Sequence, residues 1–112
     1  MSLEIVVNEE NDVVVIKLVG NLDTNTAPEA EQTINQWLEK ESKKMVINLQ
    51  ESKYVSSDGL RVFLATAKKM TAAGGAVKFC SPNDVVQEIM DISGFSTILD
   101  IKKTEDEALK SL

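Results

Sequence analysis

Histidine is missing from all 112 residues of this chain. Its absence removes Ser-His-Asp and Cys-His catalysis, and every histidine-based metal site, from consideration. Cysteine is almost as scarce. Cys80 stands alone, so it has no partner for an intramolecular disulfide. It falls in an apolar strand pattern, where a cysteine serves as a small core residue rather than a reactive thiol. No apolar run approaches the length that crosses a bilayer, and no positively charged, apolar-cored signal peptide is evident. The expectation is a cytoplasmic protein without a membrane partner. Basic clusters are lacking too: 18 acidic and 12 basic residues leave a net charge of −6. That balance argues against direct binding of nucleic acid or an anionic surface.

Two catalytic signatures also fail. The serines near the chain's centre are not framed as Gly-x-Ser-x-Gly, and Gly74-Gly75 is not followed by the Gly-Lys-Ser/Thr of a phosphate-binding loop. Carboxylate pairs such as Glu9-Glu10 sit on an expected turn and are best read as solvated. What remains is ordinary for a globular chain. The composition and length suit one domain over residues 1–112, with a core that needs no metal or disulfide staple.

The hydrophobic pattern predicts strands at Leu3–Val7 and Val13–Val19, joined by the polar turn Glu9-Glu10-Asn11-Asp12 as an antiparallel hairpin. Gly20-Asn21-Leu22-Asp23 breaks the pattern, and Asp23 or Thr24 is positioned to start the next element. Ala27, Ala30, Ile34, Trp37 and Leu38 then recur at helical spacing, with Pro28 in the first turn. A third strand, Met45–Leu49, reads as covered on both faces. An amphipathic helix follows from about Leu60 to Ala73, its apolar face Leu60, Phe63, Leu64, Ala67 and Met70, and Gly74 stops it. Ala76–Cys80 is a fourth strand. Ser81-Pro82-Asn83-Asp84 opens a short helix that ends near Gly94, Phe95–Ile101 holds a fifth strand, and Glu105–Leu112 a last helix. The expected fold is α/β: a mainly parallel mixed sheet of about five strands with an N-terminal antiparallel hairpin and about four helices.

The stretch that stands out is Lys53-Tyr54-Val55-Ser56-Ser57-Asp58-Gly59-Leu60, which leads into the second helix. A helix start favours oxygen-rich and anionic groups, because its first N–H groups are unpaired and the macrodipole is positive there. One cap requires one side-chain oxygen, and this turn offers three. Ser57 has three candidate roles: nucleophile, phosphoacceptor or cap. Without a histidine base the first is disfavoured. A phosphoryl group, by contrast, adds close to two negative charges at a position that tolerates them, and would switch binding rather than fold.

Gly20-Asn21-Leu22-Asp23, Val46-Ile47-Asn48-Leu49 and Tyr54-Val55-Ser56-Ser57-Asp58-Gly59-Leu60 together resemble the STAS domain of bacterial anti-sigma factor antagonists. The likeness continues through Gly74-Gly75 and Ile92-Ser93-Gly94-Phe95. It implies a regulator that binds an anti-sigma factor, itself a serine kinase of GHKL type, and so frees a sigma factor. Phosphorylation ends that binding and a serine phosphatase restores it. The resemblance maps the phosphoacceptor to Ser57, two positions before Gly59, with Ser56 as the alternative. It also implies a partner surface drawn from Gly20, Leu22, Asp23, Ser56, Ser57, Asp58, Gly59 and Arg61. No cofactor is implied, since ATP would belong to the kinase.

The chain departs from the family at two points. Ser56 stands where Asp often precedes the acceptor, and Asp58 stands where a small residue usually follows it. Asp23 has a second reading as a cap of the first helix. Two other readings of the whole chain stay open: a non-switching STAS scaffold or ligand-sensing subunit of a larger assembly, and, ranked third, an enzyme. Loops that follow parallel strands open at one sheet edge, so the named residues should share a surface.

Overall fold

A computed structural model describes residues 3–112. The chain runs β1 (Leu3–Glu10), β2 (Val13–Leu22), α1 (Ala27–Glu39), β3 (Lys44–Asn48), β4 (Ser52–Val55), α2 (Ser57–Ala72), β5 (Ala76–Cys80), α3 (Asp84–Ser93), β6 (Ile101–Lys102) and α4 (Glu105–Lys110). These strands form one six-stranded mixed sheet in the order β1-β2-β3-β5-β6, with β4 paired to β2 beyond the end of β3. Only the β1–β2 pair is antiparallel. Its two-residue turn places both Asn11 (φ 48°) and Asp12 (φ 71°) in the left-handed region. Asn and Asp tolerate that conformation, and a turn of this hand matches the twist of the flanking strands.

Strand parity divides the chain between two layers. Val14, Ile16, Leu18, Met45, Ile47, Val77 and Phe79 face the main core, where they meet Ala30 and Ile34 of α1, Phe63 and Met70 of α2, and Val86 and Met90 of α3. Phe63 and Phe79 pack with ring centroids 4.9 Å apart. The opposite face carries Val13, Val15, Val46 and Cys80, covered by Ala108 of α4. β3 is therefore buried on both faces, as the consecutive apolar residues Met45-Val46-Ile47 implied. Burial pushes the Cys80 thiol above its ordinary pKa, which fits a core residue rather than a nucleophile. Asn48, on the same face, donates to Glu105 Oε1 at 2.8 Å and so ties α4 to the sheet.

Several expectations need correction. Glu9 and Glu10, expected in the hairpin turn, extend β1 opposite Val14 and Val13, and Gly20-Asn21-Leu22, expected to break the pattern, end β2. The stretch Ser52–Val55, read as part of a turn, is a sixth strand. It is short and its burial does not alternate: Ser52 and Val55 are buried, Lys53 and Tyr54 exposed. Ser52 is buried because its hydroxyl donates to the Leu18 carbonyl at 2.7 Å. The second helix begins at Ser57, earlier than the apolar periodicity indicated, because its first turn is made of capping and polar residues. The fifth expected strand, Phe95–Ile101, shrinks to Ile101–Lys102, and Phe95–Thr97 forms a 3₁₀ turn. There the hydroxyls of Ser96 and Thr97 donate to the carbonyls of Met90 and Gly94, and such local bonds compete with strand pairing.

Gly75 shows how closely the helical layer is fitted to the sheet. The end of α2 is a Schellman turn: Gly74 N–H donates to the Thr71 carbonyl at 3.1 Å and Gly75 N–H to Met70 at 2.8 Å. A Cβ on Gly75 would lie 2.4 Å from the Lys43 carbonyl oxygen, whereas one on Gly74 would meet open space. Gly74→Ala should therefore cost only its left-handed strain, about 1–2 kcal/mol. Gly75→Ala forces backbone apart and should cost about 3 kcal/mol or more. Urea unfolding midpoints at unchanged slope check both; equal losses would contradict the packing argument.

Candidate functional site

The site lies at the sheet edge where β2 and β4 end and α1 and α2 begin. Gly20 adopts φ 115°, open to glycine and costly for other residues, and the β2–β4 register shifts between Gly20 and Asn21. That bend lets the last residues of β2 run beside β4. Ser56 N–H donates to the Leu22 carbonyl at 2.8 Å, joining the two strand ends directly. Gly59 then fits against the same residue. A Cβ there would approach Leu22 Cγ and Cδ2 to 2.8 Å and Val55 Cγ1 to 2.9 Å.

The three oxygen-bearing side chains of the α2 start are in different situations. Ser56 is the cap: it is half-buried, with extended backbone, and its Oγ accepts from Gly59 N–H at 3.3 Å. Asp58 is tied on both sides. Its Oδ2 accepts from Thr24 Oγ1 at 2.6 Å and its Oδ1 from Arg61 Nη1 at 3.1 Å, so its charge is matched within the site. Ser57 is the first residue of the helix and is exposed, and its hydroxyl forms no hydrogen bond among the described residues. The surplus oxygen is therefore Ser57.

On the facing loop, Asp23 Oδ1 accepts from Asn25 N–H at 2.9 Å and Thr26 N–H at 3.1 Å, and its carbonyl accepts from Ala27 N–H. This corrects the reading of Asp23 as a helix cap: its carboxylate closes a turn within the loop, whereas the cap position of α1 is Thr26, which makes no side-chain cap bond. Thr26 helps fix the loop, its hydroxyl donating to the Asn21 carbonyl at 2.7 Å. The Thr24–Asp58 bond then holds the two loops side by side. Between the first turns of α1 and α2 lies an open groove of about 370 Å³ floored by Ala27, Pro28, Val62 and Ala65, with Asp58 and Arg61 at its rim.

The expected residues thus gather at one edge, although not all are on the surface. Leu22 is 1% exposed and Gly59 is buried, because each packs against the other. Neither can touch a partner directly; they set the distance between the loops instead. Ser57 and Arg61 are exposed, while Gly20, Asp23, Ser56 and Asp58 are half-buried. The sequence offers Thr24 only as a possible element start; its bond to Asp58, across 34 residues, leaves no local trace. Gly59 carried a signal in hindsight, because glycine inside a first helical turn needs a packing reason.

Alanine at position 59 would gain about 1 kcal/mol of helix propensity yet overpack a buried wall at a cost of about 1–3 kcal/mol. Gly59→Ala should therefore lower stability by about 1–2 kcal/mol and shift the amide resonances of residues 22–24. A variant as stable as the native chain, with those resonances unmoved, would contradict this packing.

Comparison with known proteins identifies the family and the fold. The STAS domain model matches residues 4–108. The anti-sigma F factor antagonist of Paenibacillus polymyxa is 27% identical over 113 residues, covering 100% of this chain and 97% of that protein. An anti-sigma factor antagonist from Mycobacterium paratuberculosis superposes with a TM-score of 0.89 at 24% identity, over 97% of this chain and 92% of its own. The Bacillus cell fate determinant SpoIIAA superposes in its unphosphorylated form with a TM-score of 0.82 at 20% identity, over 96% and 95% of the two chains. Its phosphorylated form gives 0.74 at 19% identity, over 96% and 98%. At these identities the structural likenesses establish the fold. The family model spans nearly the whole sheet and the loops of the candidate site, and the chain belongs to the STAS domain family.

Proposed function

We propose that this protein is an anti-sigma factor antagonist whose partner binding is switched by phosphorylation of Ser57. One observation carries the reading: of the three oxygen groups at the start of α2, only the Ser57 hydroxyl is exposed and without a hydrogen bond among the described residues. Modifying Ser56 would cost the helix its cap, so Ser56 is the weaker acceptor. The name of the Paenibacillus polymyxa relative supports the antagonist role, and SpoIIAA, known in unphosphorylated and phosphorylated forms, supports the switch.

In this mechanism the unphosphorylated chain binds an anti-sigma factor that is also a GHKL-type serine kinase. The exposed Ser57 and Arg61 and the edge formed by Gly20, Asp23, Ser56 and Asp58 make the contact surface, with buried Leu22 and Gly59 setting its shape. Phosphorylation adds close to two negative charges at the helix start. Backbone N–H groups and the macrodipole favour the added charge, so the fold stands while the partner meets a changed surface. A serine phosphatase reverses the change. The protein acts as a cytoplasmic binding module, without catalytic residues or a cofactor of its own and without contact to nucleic acid.

The test pairs the purified chain with a GHKL-type serine kinase encoded in its gene neighbourhood. With ATP, mass spectrometry should find one phosphate, on Ser57, and Ser57→Ala should prevent it. Ser57→Asp should keep the native unfolding midpoint but weaken binding to the kinase by about 1–3 kcal/mol in calorimetry, the scale of a disrupted charged contact. Phosphate on Ser56 alone would move the switch by one residue. An unmodified chain, with Ser57→Asp binding as tightly as the native protein, would overturn the switch and leave a scaffold.

A further inference from the structure

We propose that Arg61 is the internal counter-ion of a phosphate on Ser57, its guanidinium shifting from Asp58 to the phosphoryl oxygens when the site is modified. This rests on Ser57 being the phosphorylated residue. Residues four apart on a helix are neighbours on one face, so Arg61 stands one turn below Ser57. Its side chain is 77% exposed, and its hydrogen bond among the described residues is the 3.1 Å contact to Asp58 Oδ1. A guanidinium is therefore already held over the first turn of α2, with little packing to restrain it.

The charges explain why it should move. A phosphoryl group carries close to two negative charges against one on Asp58, and a guanidinium can grip two of its oxygens at once. Gly59 N–H is committed to Ser56, so the backbone donors of this turn are not all available to the phosphate. Asp58 would otherwise add repulsion next to the modified serine. It can release Arg61 without being stranded, because Oδ2 keeps the 2.6 Å bond from Thr24. Asp58 thus poises the guanidinium before modification, and Arg61 offsets the repulsion after it. Thr24 keeps the two loops joined in both states.

The experiment uses the full chain with phosphoserine placed at position 57 during translation, so that no kinase is involved. A ³¹P NMR titration reads the second ionisation of the phosphate, which lies near 6 in an unperturbed phosphoserine. A nearby positive charge favours the dianion, so that ionisation should lie lower in the native chain than in Arg61→Gln, by about half a unit to one unit in low salt. Arg61→Lys should recover part of the difference, having the charge without the fork. Asp58→Asn should lower the ionisation further than in the native chain, because it removes a competitor for Arg61. The Arg61→Gln chain should keep the native amide spectrum away from the first turn of α2, which separates lost charge from lost fold. Indistinguishable titrations for the native and Arg61→Gln chains would overturn the role of Arg61 while leaving the Ser57 switch standing. A kinase that ignores Ser57 would overturn the switch and leave this titration as it is.

Discussion

Everything at the candidate site depends on how the end of β2 meets the start of α2. The Leu22 carbonyl accepts from Ser56 N–H, and the Leu22 side chain lies where a Cβ on residue 59 would have to go. One residue therefore sets both the height of the β2–α1 loop and the entry angle of α2. The positions on either side inherit that spacing. Thr24 reaches Asp58 because Leu22 has been placed against Gly59, and Asp23 is fixed by its own loop N–H groups. The contact is apolar and buried, and the polar groups of the site stand around it as a rim. A rigid base of this kind suits a binding surface, because little ordering cost remains to be met when a partner docks.

The elements legible in the sequence were those in which period and punctuation agree. The hairpin was marked by polar residues, of which Asn11 and Asp12 form the turn and Glu9 and Glu10 extend β1. α1 had a single apolar face and a proline in its first turn, and α3 lay between Asn83, which caps Val86 N–H, and the left-handed Gly94. β4 was hidden because its burial follows tertiary bonds: Ser52 is inside on account of the Leu18 carbonyl, a partner 34 residues away. The 3₁₀ turn at Phe95–Thr97 was hidden because the N–H groups of Thr97, Ile98 and Leu99, which a strand could have used, go to the nearby carbonyls of Gly94 and Phe95. The site divided in the same way. Its serines and glycine could be singled out by residue type and order, and their placement at one edge followed from the parallel crossovers. Which oxygen was spent on capping, and which residues were buried, required coordinates.

The division of labour among Ser56, Ser57 and Asp58 is what makes a modification-driven change of surface physically economical. Helix starts in general use their side-chain oxygens to satisfy backbone N–H groups, so altering one usually costs stability. Here Ser56 caps, and Asp58 braces the facing loop through Thr24, leaving Ser57 with no side-chain bond to lose among the described residues. The charge already present at Asp58 is matched by Arg61, so the unmodified turn does not present an isolated negative group. The proposed phosphate would therefore enter a site that is electrostatically balanced beforehand and unbalanced afterwards. At an exposed position such charges act over about a Debye length, roughly 8 Å at physiological salt. A partner seated directly on Ser57 falls within that range, and most of the sheet beneath does not. The energetic consequence is thus confined to whatever touches the start of α2, which is the property a reversible binding switch requires.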